Sequence, residues 1–173
     1  MSWLAKWFQD PGNVEIAVAA TAAVVILGAG GALTEIGPWY NRLRKPSWQP
    51  PGWLFAPAWT TIFALAAFAA VKSWDAASTA AEQALVVGLF AVNGVLNILW
   101  SLLFFKLQRP DWALVEVAAL WLSILALIVG LAPLSARGSL AIVPYLLWVS
   151  FAAVLNRTIV RLNAPFGAVA VSR

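Results

Sequence analysis

The sequence predicts an all-α integral membrane protein, five transmembrane helices in one bundle. Three observations carry this prediction. Of 173 residues, 62% are hydrophobic and 10% are charged, a balance far from that of a soluble domain. The apolar residues come in long runs, each close to the ~20 residues that cross a bilayer core as a helix. Those runs lack the polar stripe at helical spacing that a water-facing helix carries.

The chain reads as a single domain over residues 1–173. Its N-terminal stub, MSWLAKWFQDPGN, lacks the pattern of a cleavable leader, and Trp3, Trp7 and Phe8 are expected to rest at the headgroups. The first span covers roughly residues 14–33. Gly28, Gly30 and Gly31 lie inside it with no Lys-Ser/Thr after them, so they read as helix-packing positions, not a phosphate loop. Glu35 ends the span, and a loop arginine is its expected partner.

Residues 37–57 form the most unusual segment, GPWYNRLRKPSWQPPGWLFAP. Tryptophans crowded among rigid prolines at a membrane boundary make a shaped aromatic surface rather than a flexible connector. The second span, roughly residues 54–71, is the weakest, because Pro57 lies near its start. Proline is tolerated there in the first turn. Trp59 and Phe63 make an i, i+4 aromatic pair on this helix.

The third span, roughly residues 84–105, carries Asn93, Asn97, Trp100 and Phe104 on one helical face. This amide–amide–indole stripe has two readings. It either holds the bundle together by interhelical hydrogen bonds or contacts a ligand. The fourth span, roughly residues 112–131, contains Glu116, which lies near Asp111 and Trp112 and is expected to snorkel to the interface; a proton relay is the alternative. The fifth span, roughly residues 140–160, places Tyr145, Trp148, Ala152 and Leu155 on one face. A ring followed one turn later by a small residue leaves a recess, suited to a flat apolar ligand or to a crossing helix. Gly28-xxx-Ala32 and Ala84-xxx-Gly88 offer small-residue spacings for close helix approach or a homodimer.

Basic residues set the orientation. With five spans, Lys6, Lys72 and Arg137 share one side. Arg42, Arg44, Lys45, Lys106, Arg109, Arg157, Arg161 and Arg173 share the other. By the positive-inside rule the Trp/Pro loop and the C-terminus face the cytoplasm. The pI of about 10.0 thus reflects topology and anionic lipid, not nucleic acid. The sequence has no cysteine and no histidine, and its one methionine is Met1. Disulfides, Cys/His zinc sites, Ser-His-Asp and Cys-His catalysis are excluded, and no metal or cofactor is expected. Only Tyr40 and Tyr145 are conceivable haem ligands.

Three segments together resemble the translocator protein family, the tryptophan-rich sensory proteins of bacteria and the peripheral-type benzodiazepine receptors of mitochondria. They are W39-Y40-xx-L43-x-K45-P46-x-W48-x-P50-P51-xxx-F55-x-P57-x-W59-T60, then L96-N97-xx-W100-xxx-F104-F105, then P144-Y145-xx-W148-xx-F151-A152-xx-L155-N156. The resemblance implies a five-helix bundle, often dimeric, with a pocket closed by the first loop. It also implies porphyrin ligands such as protoporphyrin IX. Matched position by position, the ligand-binding residues would be Trp39, Tyr40 and Pro50 from the loop and Trp59 from the second helix. Asn93, Asn97 and Trp100 would join from the third, and Trp148, Phe151, Ala152 and Leu155 from the fifth. Thr158 stands where the mitochondrial proteins carry the tyrosine of a proposed cholesterol motif, which argues against tight cholesterol binding and for a bacterial membrane. The family is also found in outer membranes.

The leading functional expectation is a membrane receptor that binds porphyrins and other flat apolar ligands under the first loop, for sensing or transport. One alternative is a light- or oxygen-dependent porphyrin-degrading enzyme working through Trp39, Trp59 or Trp148, since the sequence supplies no general base or metal site. The other is a porphyrin or sterol transporter, against which stands the absence of an ion-coupling carboxylate pair or an obvious inverted repeat.

Overall fold

A computed structural model describes residues 11–167. Trp3, Lys6, Trp7, Phe8 and Arg173 lie outside the described residues. Five helices are long and apolar enough to cross a membrane. They are α1 (Pro11–Leu33), α2 (Phe55–Ala76), α3 (Ala80–Ser101), α4 (Pro110–Leu131) and α5 (Ala136–Asn163). Each span expected from the sequence falls within one of them and its flanking turns.

Local chemistry sets the helix ends. Thr79 and Glu82 form a reciprocal capping box at the start of α3, and Ser135 caps α5 by accepting from the Gly138 N–H at 3.1 Å. Pro110 opens α4, where its missing N–H costs nothing. Pro57 falls in the first turn of α2, so that helix starts cleanly. It also outruns the expected span: Lys72 pairs with Asp75 at 3.0 Å, and the Trp74 indole donates to Glu15 of α1 at 2.9 Å.

Around the bundle the helices follow the order α1, α2, α5, α4, α3, and α3 returns to α1. The packing is inverted relative to a soluble protein. Val14, Val18, Val24, Val25, Val115 and Leu147 face outward, whereas Ser73, Asn93, Asn97, Ser101, Ser139 and Asn156 are buried. In lipid that is the stable arrangement, because polar side chains find partners only inside. Asn97 Nδ2 donates across the bundle to the Tyr145 hydroxyl of α5 at 2.8 Å, and Asn93 Nδ2 to Ser123 Oγ of α4 at 2.9 Å. Trp121 Nε1 donates to Ser150 Oγ at 2.8 Å, tying α4 to α5.

Three expectations need correction. Glu35 pairs with Lys106 at 2.6 Å rather than with a loop arginine, because the end of α1 stands beside the end of α3. Glu116 does not snorkel: it lies with Ala113, Val117 and Leu120 on the buried face of α4, 9% exposed, and neither carboxylate oxygen has a hydrogen-bond partner among the described residues. Within the bundle the close helix approaches fall on Gly30, as expected, where a Cβ would lie 3.6 Å from Ser101 Oγ of α3, and otherwise on glycines not singled out. Nothing lies within 4 Å of a Cβ built at Gly28, Gly31 or Gly88, whereas one at Gly94 would meet Ile26 of α1 at 2.8 Å and one at Gly138 would meet Ser73 of α2 at 2.8 Å.

Candidate functional site

The Trp/Pro loop folds back over one end of the bundle. Pro38 fixes φ for a single helical turn, Pro38–Arg42, and the chain then passes through a tight turn, closed by the Gln49 N–H donating to the Pro46 carbonyl at 3.0 Å, to a 3₁₀ turn, Gly52–Leu54, that leads into α2. Trp39 and Tyr40 are consecutive in that turn and reach two neighbouring rings of the third span. Trp39 meets Phe104 edge-on at 6.3 Å between centroids, and Tyr40 meets Phe105 at 5.7 Å.

The third span makes this possible by changing pitch. After Ser101 it continues as a π-helical segment, Leu102–Lys106. Its wider turn carries Phe104 and Phe105 together to Trp100, which stacks on Phe104 at 5.1 Å and meets Phe105 edge-on at 6.1 Å. The Trp100 indole N–H is buried and has no hydrogen-bond partner among the described residues.

Opposite this group stand rings of α2 and α5. Trp148 and Phe151 lie 5.7 Å apart, with Phe55 edge-on to Trp148 at 5.7 Å and Trp48 edge-on to Phe151 at 5.9 Å. Deeper, Trp59 stacks on Phe63 at 5.6 Å and meets Tyr145 edge-on at 5.9 Å. These distances are those of attractive ring pairs. Phe55 and Trp48 therefore cover part of the ring surface of Trp148 and Phe151.

The loop is fastened on its polar side. The Arg44 N–H donates to Asn163 Oδ1 at 2.8 Å, and Asn163 Nδ2 donates back to the Arg44 carbonyl at 2.8 Å. Lys45 Nζ sits 4.2 Å from the Tyr40 ring centre, a cation–π contact, and Gln49 donates to the Tyr40 hydroxyl at 3.4 Å. Burial pushes the Tyr40 phenol above its ordinary range, with the Gln49 bond acting weakly the other way.

Of the residues expected from sequence, Trp39, Tyr40, Trp100, Phe151 and Leu155 meet in one cluster around Phe104, Ala113 and Ile159. Trp59, Trp100 and Trp148 border the main core, so Trp100 bridges the two. Ala152 and Pro50 are half-buried. Asn93 and Asn97 each donate an amide N–H across the bundle, to Ser123 and Tyr145, so the interhelical part of the stripe reading is met, and a ligand contact through their remaining amide atoms stays compatible with it. Sequence reasoning left Phe55 and Trp48 out of the set of site residues, and it missed the Asn163 clasp. Asn163 is the last residue of α5 and lies beyond the span expected at residues 140–160, so the stripes read from that span did not include it. Among the described residues no cluster of metal-ligating side chains occurs.

Residues 17–162 match the sequence model of the TspO/MBR family. The chain is 39% identical to "Tryptophan-rich protein TspO" of Chlorobaculum tepidum, an alignment covering 87% of this chain and 99% of that one. It is 37% identical to "Protein CrtK" of Rhodobacter capsulatus over 82% and 88% of the two chains. Similarity extends to "Translocator protein" of Sus scrofa, at 36% identity over 72% of this chain and 75% of that one.

Proposed function

Because the chain belongs to the TspO/MBR family and is a multi-pass membrane protein, we propose that it is a receptor for porphyrins of the protoporphyrin IX type and other flat apolar ligands. The ligand would bind under the first loop, among Trp39, Tyr40, Trp59, Trp100, Trp148 and Phe151. The observation that carries this reading is the convergence of loop, α2, α3 and α5 rings in one cluster with Trp100, whose buried indole N–H has no partner among the described residues. A buried donor without a partner is costly, and a ligand carbonyl, carboxylate or ring nitrogen would relieve it. A macrocycle stacks on indole and phenyl faces, while Lys45 at the rim suits its carboxylates.

Ligand entry on this reading requires the loop to lift, withdrawing Phe55 and Trp48 from Trp148 and Phe151. The loop becomes a lid, and binding is coupled to its position. Orientation follows the charge count. Arg42, Arg109 and Arg161 stand at one end with the lid, and Lys72 and Arg137 at the other. The positive-inside rule then puts the lid on the cytoplasmic face. A homodimer would bury part of the apolar outer surface.

Titrating the purified protein with protoporphyrin IX tests the proposal. Saturable quenching of tryptophan fluorescence is expected, and replacing Trp59 and Trp148 by Ala should weaken it strongly. A wild-type response no larger than that of free tryptophan in the same detergent would sink it.

A further inference from the structure

A cavity of about 420 Å³ opens at the lid end of the bundle, bordered by Trp39 of the aromatic cluster. Three segments build it: Trp39 and Arg42 from the helical turn, Arg109 from the α3–α4 connection, and Asn163, Phe166 and Gly167 from the end of α5 and beyond. Among the described residues no carboxylate lines it. The recess is cationic on one side and apolar on the other.

Its two arginines differ in kind. Arg109 is held in place: Nε donates to Asp111 Oδ1 at 2.8 Å, Nη2 donates to Oδ2, and the guanidinium lies 4.1 Å over the Trp112 ring centre. Its Nη1 stands outside that fork and faces Gly167. A Cβ there would lie 2.7 Å from Nη1, and the residue has φ +70, so glycine is what lets the chain close the wall against the guanidinium. Arg42 is exposed and makes no ion pair with any described carboxylate. With Asp111 counted, one positive charge is left uncompensated. A preorganised guanidinium edge beside a free one is the donor set for a phosphate oxyanion.

The geometry points to a binding site for a phosphate anion between Arg42 and Arg109, the phosphate being that of a phospholipid headgroup or of a free ion, with Trp39 and Phe166 flanking its apolar neighbour. Trp39 also meets Phe104 of the aromatic cluster. An anion here therefore braces the turn Pro38–Arg42 and favours the closed lid. The site does not depend on what the chamber binds.

The test uses the full chain in nanodiscs of phosphatidylcholine, alone or doped with phosphatidylglycerol, with retained lipid counted by native mass spectrometry and stability read by thermal shift. Wild type should retain phosphatidylglycerol in preference to phosphatidylcholine. Arg42→Gln should weaken that preference about tenfold, the loss of one charge-assisted contact. Lys72→Gln at the opposite end should leave it intact. Arg42 is exposed, so its variant folds; Arg109→Gln paired with Asp111→Asn extends the test to the fixed arginine. Inorganic phosphate added to phosphatidylcholine discs separates the sources, because a shift that Arg42→Gln abolishes makes the free anion the ligand. Equal lipid preference in wild type and Arg42→Gln, with no phosphate shift in either, overturns the proposal.

Discussion

Removing the Asn163 side chain should release the lid without unfolding the bundle. Asn163 makes two hydrogen bonds to the Arg44 backbone, each 2.8 Å, and a third within its own helix to the Ile159 carbonyl. A protein hydrogen bond contributes about 0.5–1.5 kcal/mol net, and these two lie at the exposed edge, so together they hold the loop by about 1–2 kcal/mol. That is a factor of about 5–30 in the open-to-closed ratio. Hydrogen–deuterium exchange over Leu43–Gln49 reads the ratio directly, and Asn163→Ala should accelerate exchange there by that factor. Asn163→Asp keeps the acceptor for the Arg44 N–H but turns a carboxylate oxygen toward the Arg44 and Ile159 carbonyls, so it should also accelerate loop exchange. The core of α4 and α5, with Ile124, Leu127, Ile142 and Val149 buried, should exchange as in wild type. If loop exchange is unchanged in Asn163→Ala, the clasp does not hold the lid. If α4 and α5 accelerate equally, the residue supports the whole fold, and the reasoning also fails.

Three more perturbations separate the chamber's parts. Trp100→Phe keeps the stack on Phe104 but deletes the unpartnered N–H; ligand-free stability should hold or rise, while affinity for protoporphyrin IX falls about tenfold, and unchanged affinity would mean the donor does not meet the ligand. Glu116→Met should raise thermal stability by about 1–3 kcal/mol, because it removes a buried carboxylate with no partner for either oxygen; a fall of that size would show that the carboxylate is satisfied. Tyr40 has its phenol raised above the ordinary value of 10.0 by burial. A group raised in the folded state stabilises fully below its unfolded pKa and loses that contribution as pH climbs through the folded one. Tyr40 should therefore hold the loop docked up to about pH 10 and release it above, so a phenolate absorbance difference between wild type and Tyr40→Phe that appears below pH 10 contradicts the buried placement.

Much of the architecture was legible because hydrocarbon imposes one rule on every span. Length and apolar content located all five helices, since only helices and closed barrels satisfy their backbone in lipid and the apolar runs are about twice as long as a membrane strand needs. Rotation about each helix axis was harder to read. The Asn93–Asn97–Trp100–Phe104 stripe and the Tyr145–Trp148–Leu155 stripe were each visible as faces, but the Asn97–Tyr145 bond joining them is a property of the bundle. Glu116 was misplaced for the same reason. Its distance from the helix end spoke of depth in the membrane, while the buried positions Ala113, Val117 and Leu120 decided its direction. The π-helical segment also escaped, although it is what lets both Phe104 and Phe105 reach Trp100. A pitch change of that kind leaves no signature in apolar periodicity.

The central claim is that a flat ligand enters between the lid and the rings of α2, α3 and α5. A structure of the full chain with protoporphyrin IX bound tests it most directly. The account predicts the macrocycle against Trp59 and Trp148, a ligand acceptor within hydrogen-bond reach of Trp100 Nε1, and Phe55 and Trp48 displaced with the loop. A macrocycle lodged on the lipid-facing surface, with Trp48 still against Phe151 and Phe55 still against Trp148, would contradict it.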